Sequence, residues 1–167
     1  GNDVTASPGD YGIYVNCSSS GCSNIIISHN KIHDITSTEG VSSGGSCTTY
    51  GGDGDALRID SKWNNITFEY NEVTKITQVP VTGVCVGHND CFQEYNSLSS
   101  HDLTFDHNYF HDAQCEGFLI KDNSVANVNF TNNLYLNVSG ISQIWNTTPL
   151  TVRNNTYWNT DLLLRAD

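Results

Sequence analysis

One short pattern recurs along the 167-residue chain and ends each time in asparagine. An apolar residue, a polar residue and a second apolar residue are followed by two more residues and then by Asn. The five copies end at Asn30, Asn71, Asn108, Asn133 and Asn155, which are 41, 37, 25 and 22 residues apart. Alternation with a period of two indicates β-strands. Repetition of the whole pattern indicates a solenoid built from stacked units.

The pattern lies in the middle of a larger unit of three short alternating segments, such as residues 55–60, 66–71 and 73–76. Three short strands cannot bury their apolar faces alone, so successive units must stack with their strands in parallel. Two insertions, 36–53 and 77–88, separate the third segment of one unit from the first segment of the next. Both loops should therefore emerge at one edge of the solenoid.

These features predict an all-β fold, a single parallel β-helix domain of about five coils over residues 1–167. Residues 1–10 show no periodicity and are predicted to form an irregular lead-in. Residues 161–167 contain three consecutive leucines and are a candidate cap for the last coil.

Residues 11–160 resemble the pectate-lyase-like family of right-handed parallel β-helix proteins. The resemblance rests on residues 55–59, on residues 65–71 and on their equivalents in the other units. In that family an Asn ladder lines the bend between the second and third strands, inside the coil. The resemblance implies this role for the five asparagines named above. Stacked amides can satisfy one another and the backbone of the bend, as buried polar groups require.

The charge of the chain limits its partners. The 18 acidic residues outnumber the 7 basic residues and give a formal net charge of -11. Nucleic acid and anionic membranes are excluded as partners because the long-range field repels polyanions. No apolar run is long enough to span a bilayer. Neutral polymers and cations such as Ca²⁺, which takes oxygen ligands, fit better.

The cysteines indicate a secreted protein. There are six, namely Cys17, Cys22, Cys47, Cys85, Cys91 and Cys115. Their number is even and their spacing matches no zinc motif, so disulfides in an oxidising compartment are the better interpretation. We favour a Cys17–Cys22 pair because it closes a local loop, and the sequence leaves the other pairings open.

Strand parity identifies the side chains that point outwards. Leu57 and Ile59 should point into the coil, so Arg58 and Asp60 should point out. The equivalents of Arg58 in the other units are predicted to be Tyr14, Gln93, Leu119 and Trp145, and those of Asp60 to be Asn16, Tyr95, Lys121 and Thr147. Asp55, Asp90 and Glu116 should stack at the start of these strands.

In β-helix enzymes that act on polysaccharides, the substrate groove lies along the first-strand face. The resemblance therefore implies that the substrate-binding residues are Tyr14, Asp60, Gln93, Tyr95 and Trp145. Aromatic faces stack on sugar rings, and amide and guanidinium groups bind hydroxyls and carboxylates. The alternative is an ordinary amphipathic sheet surface stabilised by cross-strand pairs.

The candidate catalytic residues are Asp55, Asp90, Glu116, Arg58, Lys121 and His88. The segment His88–Asp90 should lie one coil above Asp53 and Asp55, and carboxylates in adjacent coils can serve as the acid and base of a hydrolase. Lys121 and Arg58 would suit a lyase, where a cation stabilises an enolate. A Ca²⁺ ion bridged by Asp53, Asp55 and Asp90 is equally compatible. Each Asp can also simply accept hydrogen bonds from loop amides.

Six Asn-x-Ser/Thr sequons occur in the chain. Parity places Asn16, Asn65, Asn129 and Asn137 on the outside, where an N-linked glycan must be. The alternative is a bare polar surface.

The leading hypothesis is a secreted β-helix that binds and cleaves an extracellular polysaccharide, as a hydrolase or a lyase. The alternative is a structural subunit. A short β-helix without evident caps presents unpaired strand edges at both ends, and such edges favour end-to-end stacking into filaments.

Overall fold

The computed structural model describes residues 1–17, 20–43, 46–79, 85, 87–95, 99–115, 117–120, 125–145, 147–160 and 163–166. Within these ranges the regular elements are β-strands, and no helix is long and apolar enough to cross a membrane.

The strands form three parallel sheets, one for each segment of the repeat. The sheet of first strands contains β2 (Ile13–Asn16), β7 (Leu57–Asp60), β10 (Phe92–Tyr95), β13 (Phe118–Ile120), β16 (Ile141–Ile144) and β19 (Leu163–Ala166). The sheet of second strands contains β3 (Cys22–Ser28), β8 (Trp63–Glu69), β11 (His101–Asp106), β14 (Ala126–Thr131) and β17 (Leu150–Arg153). The sheet of third strands contains β1 (Asp3–Val4), β4 (Lys31–Thr36), β9 (Glu72–Thr77), β12 (Tyr109–Gln114), β15 (Leu134–Ser139) and β18 (Thr156–Trp158). The predicted parallel β-helix is confirmed.

Three details go beyond the sequence-based expectation. The lead-in 1–10 is not wholly irregular, because β1 pairs in parallel with β4. It adds one strand to the sheet of third strands, ahead of the first complete coil. In the tail, β19 pairs with β16 and so extends the sheet of first strands. The insertion 36–53 contains an antiparallel hairpin of β5 (Val41–Ser43) and β6 (Ser46–Thr49).

The Asn ladder is present at the corner between the second and third strands. At each rung, the backbone N–H and the side-chain amide both donate to the Oδ1 atom of the next Asn, as Asn71 does to Asn108 at 3.0 and 3.1 Å. The side-chain amide of Asn108 also donates to the backbone oxygen of Phe68 at 2.9 Å. Asn2 extends the ladder by one rung that sequence analysis missed, since its amide donates to Asn30 at 3.0 Å.

The core between the sheets is built from stacked aromatic rings. Phe68, Phe105 and Phe130 occupy equivalent positions in three coils, and their centroids are 5.1 and 5.0 Å apart in parallel planes. Phe92 and Phe118 pack edge-on against this stack, with centroids 4.9 Å from that of Phe105. Parallel pairing brings like residues together, so one aromatic position in the repeat becomes a continuous column.

The predicted Cys17–Cys22 disulfide is present. The structure also supplies the pairings that the sequence left open. Cys47–Cys85 joins the two insertions, and Cys91–Cys115 links the first strand of a coil to the end of its third strand. Three disulfides are consistent with an extracellular protein.

Replacement of a central rung tests the ladder. We expect Asn108→Ala to lower the free energy of unfolding by about 3 kcal/mol, because it leaves the buried backbone N–H of Asn71 without an acceptor. Urea denaturation measures the change. The control is Asn129→Ala, which removes one long, partly buried hydrogen bond of 3.3 Å outside the ladder and should cost less than about 0.5 kcal/mol. Equal effects of the two substitutions would contradict a structural role for the ladder.

The disulfides can be compared by loop length. The Cys91–Cys115 bridge closes a sequence separation of 24 and Cys17–Cys22 one of 5. The chain-entropy relation predicts losses in unfolding free energy of about 3 kcal/mol and about 2 kcal/mol when each pair is replaced by alanines. Chemical denaturation of the two double variants tests this order, and a larger loss for the Cys17–Cys22 pair would refute it.

Candidate functional site

The register of the sheet of first strands confirms most of the predicted outward column. Tyr14 pairs with Arg58, Arg58 with Gln93, and Gln93 with Leu119. The next pair in this column is Leu119 with Gln143.

The predicted place of Trp145 in that column is therefore wrong. Ile144 is in register with Ile120, and Trp145 follows it in the adjacent outward column, where Thr147 was expected. A shift of two residues preserves the inward and outward alternation, so the hydrophobic pattern of the sequence could not reveal it. Two other predicted residues, Glu116 and Lys121, lie outside the described residues.

Arg58 lies at the centre of the candidate site on the outer face of the first-strand sheet and is contacted by four side chains. Its Nε donates to Oδ1 of Asp60 at 2.9 Å and its Nη1 donates to Oε1 of Gln93 at 2.6 Å. Its guanidinium lies between two rings, 4.7 Å from the centroid of Tyr11 and 5.0 Å from that of Tyr95. The residue is only 9% exposed. These contacts favour a structural role over stabilisation of an enolate, the role that sequence analysis suggested.

Two tyrosines form the exposed part of this face. Tyr14 is 44% exposed and Tyr95 is 42% exposed. The Tyr14 hydroxyl donates to Oδ2 of Asp60 at 2.7 Å, so both oxygens of that carboxylate are bound, one by Tyr14 and one by Arg58. The face therefore presents fixed aromatic rings around a buried cation.

Asp55, His88 and Asp90 come together beside Arg58, at the start of strands β7 and β10. The backbone N–H of Asp90 donates to Oδ1 of Asp55 at 2.9 Å. Oδ2 of Asp90 lies 3.1 Å from Nδ1 of His88, and Oδ2 of Asp55 lies 3.6 Å from Nη1 of Arg58. Both aspartates are fully buried, whereas the His88 side chain is 39% exposed. His88 thus forms the surface of a cluster whose carboxylates lie beneath it.

The environment of this cluster raises the pKa values of two of its residues. Burial, together with the neighbouring Asp90 carboxylate, raises the pKa of Asp55 to about 8. The contact with the Asp90 carboxylate raises the pKa of His88 to about 9.

Asp53 mainly tethers the backbone of the second insertion. Its Oδ1 accepts a hydrogen bond from the backbone N–H of His88 at 3.2 Å, and its Oδ2 lies 3.6 Å from Nη1 of Arg58. The neighbouring Gly52 and Gly87 permit this approach, since a Cβ atom on Gly87 would lie 2.2 Å from the carbonyl oxygen of Gly52. This is the backbone-tethering role that sequence analysis kept as its alternative.

Sequence analysis missed two residues at the sheet of first strands. Tyr11, which precedes β2, stacks on Arg58, although nothing in the sequence pattern assigned it a role. Glu94 is fully buried in register with Ile59, in a column that is otherwise apolar. The sequence could have predicted the burial of Glu94, because strand parity alone places this carboxylate inside the coil.

Three of the four predicted glycosylation residues, Asn16, Asn65 and Asn137, are exposed, and Asn129 is half-buried. The amide of Asn137 donates to Oδ1 of Asp112 at 2.8 Å, as part of an outer polar ladder. Glycosylation at these positions stays a prediction.

The contacts of Arg58 predict a large stability loss when its charge is removed. Arg58→Met keeps much of the stem but leaves the Asp60 carboxylate without its cation and Oε1 of Gln93 without its donor, which should cost about 3–5 kcal/mol of unfolding free energy. The control is Lys31→Met, which breaks an exposed pair with Glu72 and should cost less than about 1 kcal/mol. Urea denaturation at pH 7 compares the two. A loss below about 1 kcal/mol for Arg58→Met would contradict its central role.

Comparison with known proteins agrees with the architecture. A family model described as a right-handed beta helix region matches residues 1–157. No curated protein and no solved structure matches the chain. The matched region covers nearly the whole sequence and includes all of the strands that form the site. The chain belongs to the right-handed β-helix family, whose fold often occurs in carbohydrate-active proteins.

Proposed function

We propose that this protein binds a neutral extracellular polysaccharide along the outer face of its first-strand sheet. The observation that carries the proposal is the pair of half-exposed tyrosines, Tyr14 and Tyr95, held by their neighbours on a continuous parallel sheet. Tyrosine rings present an apolar face and a polar edge, which suits the mixed surface of a sugar.

The spacing of the tyrosines favours an extended ligand. Tyr14 lies on β2 and Tyr95 on β10, with β7 between them. Two steps between strands correspond to about 10 Å along the solenoid axis. A single sugar ring would reach one tyrosine, whereas a chain of sugars along the axis would reach both.

The charges favour a neutral ligand over an acidic one. Among the described residues that carry this proposal, Arg58 is the cation, and its Nε and Nη1 already bind Asp60 and Gln93. A uronate would have to displace one of these contacts and approach a chain with a net charge of -11. A neutral polysaccharide meets neither penalty, because hydroxyls can bind at the carboxylate and amide edges.

Cleavage, which the family resemblance implies, is less well supported than binding. A glycosidase pair must touch the glycosidic oxygen and the sugar ring, but Asp55 and Asp90 are both fully buried. The two residues would have to become exposed before they could act on a bound chain. We therefore restrict the proposal to binding, and the catalytic roles stay predictions. End-to-end self-association likewise stays a prediction.

Substitution of the tyrosines tests the binding proposal. Isothermal titration against neutral glucans, mannans and xylans, with polygalacturonate as the acidic comparison, should show binding to a neutral polymer. Tyr14→Ala and Tyr95→Ala should each weaken that binding by about 2- to 10-fold, since an aromatic contact is worth about 0.5–1.5 kcal/mol.

The matched control is Trp158→Ala, which removes a 69% exposed aromatic residue from the sheet of third strands. It should leave the affinity unchanged. Equal losses for all three variants, or no binding to any neutral polymer, would refute the proposal. Release of reducing ends or of unsaturated products in the same mixtures would show that the protein also cleaves its ligand.

A further inference from the structure

We propose that Asp55, His88 and Asp90 form a binding site for one divalent transition-metal ion, of the class of Zn²⁺ or Mn²⁺. The inference is independent of the polysaccharide proposal, because none of the three residues belongs to the exposed tyrosine face.

The three side chains converge on one point. One ligand atom from each residue lies within 4.8 Å of the other two. Nδ1 of His88 and Oδ2 of Asp90 are 3.1 Å apart. Ligand atoms around a tetrahedral ion with bonds of about 2.0–2.2 Å lie about 3.3 Å from each other. Metal binding would require the side chains to move until all three ligand atoms reach that separation.

One buried carboxylate oxygen of the cluster, Oδ2 of Asp55, lacks a hydrogen-bond donor among the described residues. Nη1 of Arg58 lies 3.6 Å from this oxygen, which is beyond hydrogen-bond distance. A buried carboxylate oxygen in this state is costly. A metal ion bound to it would remove the cost and offset the repulsion between the two carboxylates.

The donor set distinguishes this site from the Ca²⁺ site that sequence analysis kept as an alternative. Ca²⁺ takes six to eight oxygen ligands, whereas the cluster offers an imidazole nitrogen. Asp53, the third predicted Ca²⁺ ligand, already binds the backbone N–H of His88 and lies beside Arg58. Imidazole with carboxylates is a donor set of Zn²⁺ and related ions.

The three residues would leave a fourth coordination position for water or another small ligand. Two ligands are buried, and His88 is the partly exposed one. Backbone hydrogen bonds hold the cluster in place, since Asp90 is bound to Asp55 and the backbone N–H of His88 to Asp53. The site is therefore fixed to the coil by adjacent strands rather than by a mobile side chain alone.

Metal titration of the full chain tests the proposal. Protein stripped with a chelator and desalted is titrated separately with Zn²⁺, Mn²⁺ and Ca²⁺ by calorimetry, and its Tm is recorded with each ion. We expect one Zn²⁺ or Mn²⁺ ion per chain and a higher Tm on binding. His88→Gln and Asp55→Asn should weaken binding by at least about 100-fold, since loss of even an outer-shell partner costs about 10- to 100-fold.

The matched control is His101→Gln, which alters an exposed His with a single neighbouring carboxylate, Asp102, and should bind the ion as the unmodified chain does. Circular dichroism reports whether each variant folds. If Asp55→Asn does not fold, the partly exposed His88 still allows a decisive comparison. Failure of Zn²⁺ and Mn²⁺ to bind, undiminished binding by His88→Gln, or binding of Ca²⁺ alone would overturn the proposal.

The outcome is separable from that of the binding proposal. Tyr14→Ala and Tyr95→Ala should retain metal binding, and polysaccharide titrations in the presence of a chelator should retain the contacts of the tyrosines. A metal site without polysaccharide binding, or the reverse, would therefore identify which proposal fails.

Discussion

The structure depends on hydrogen bonding at one buried corner. A tight bend inside a β-helix buries backbone groups that neither sheet can satisfy, and the ladder supplies acceptors for them from the next coil. Asn71 and Asn108 show the arrangement, in which a single Oδ1 atom accepts from both the backbone and the side chain of its neighbour. The same bonds fix the stacking register, because a coil displaced by one residue would lose every rung. Fold and register therefore have one physical origin.

Register in turn creates the site. Parallel pairing places the same position of each repeat in one column. Tyr11, Asp55 and Asp90 therefore stack, although each is at least 35 residues from the next along the chain. The aromatic core arises in the same way from Phe68, Phe105 and Phe130. In the core this stacking is favourable, because apolar rings attract. At the start of the first strands it brings carboxylates together, and the resulting repulsion is balanced by Arg58 and His88.

The balance of charge explains why the site differs from the expected groove. Sequence parity correctly predicted that Arg58 points away from the core, but outward did not mean exposed. Stacking of Tyr11 and Tyr95 on both sides covers the guanidinium, and four polar neighbours bind or surround it. The exposed surface is left to the tyrosines, while the acidic groups that resembled a catalytic pair lie below it. The tyrosines proposed to bind sugar are therefore at the surface of this face, and the charged cluster lies beneath them.

The sequence by itself determined the architecture, because strand period, the Asn repeat and the position of the insertions are all local properties of the chain. It also predicted the alternation of the first strands and favoured the local Cys17–Cys22 pair. Only the tertiary structure decided the two longer disulfides, the burial of Asp55 and Asp90, and the place of Trp145. These depend on how far one coil is shifted against the next and on what covers each side chain. A pattern with a period of two is unchanged by a shift of two residues, and it carries no information about depth.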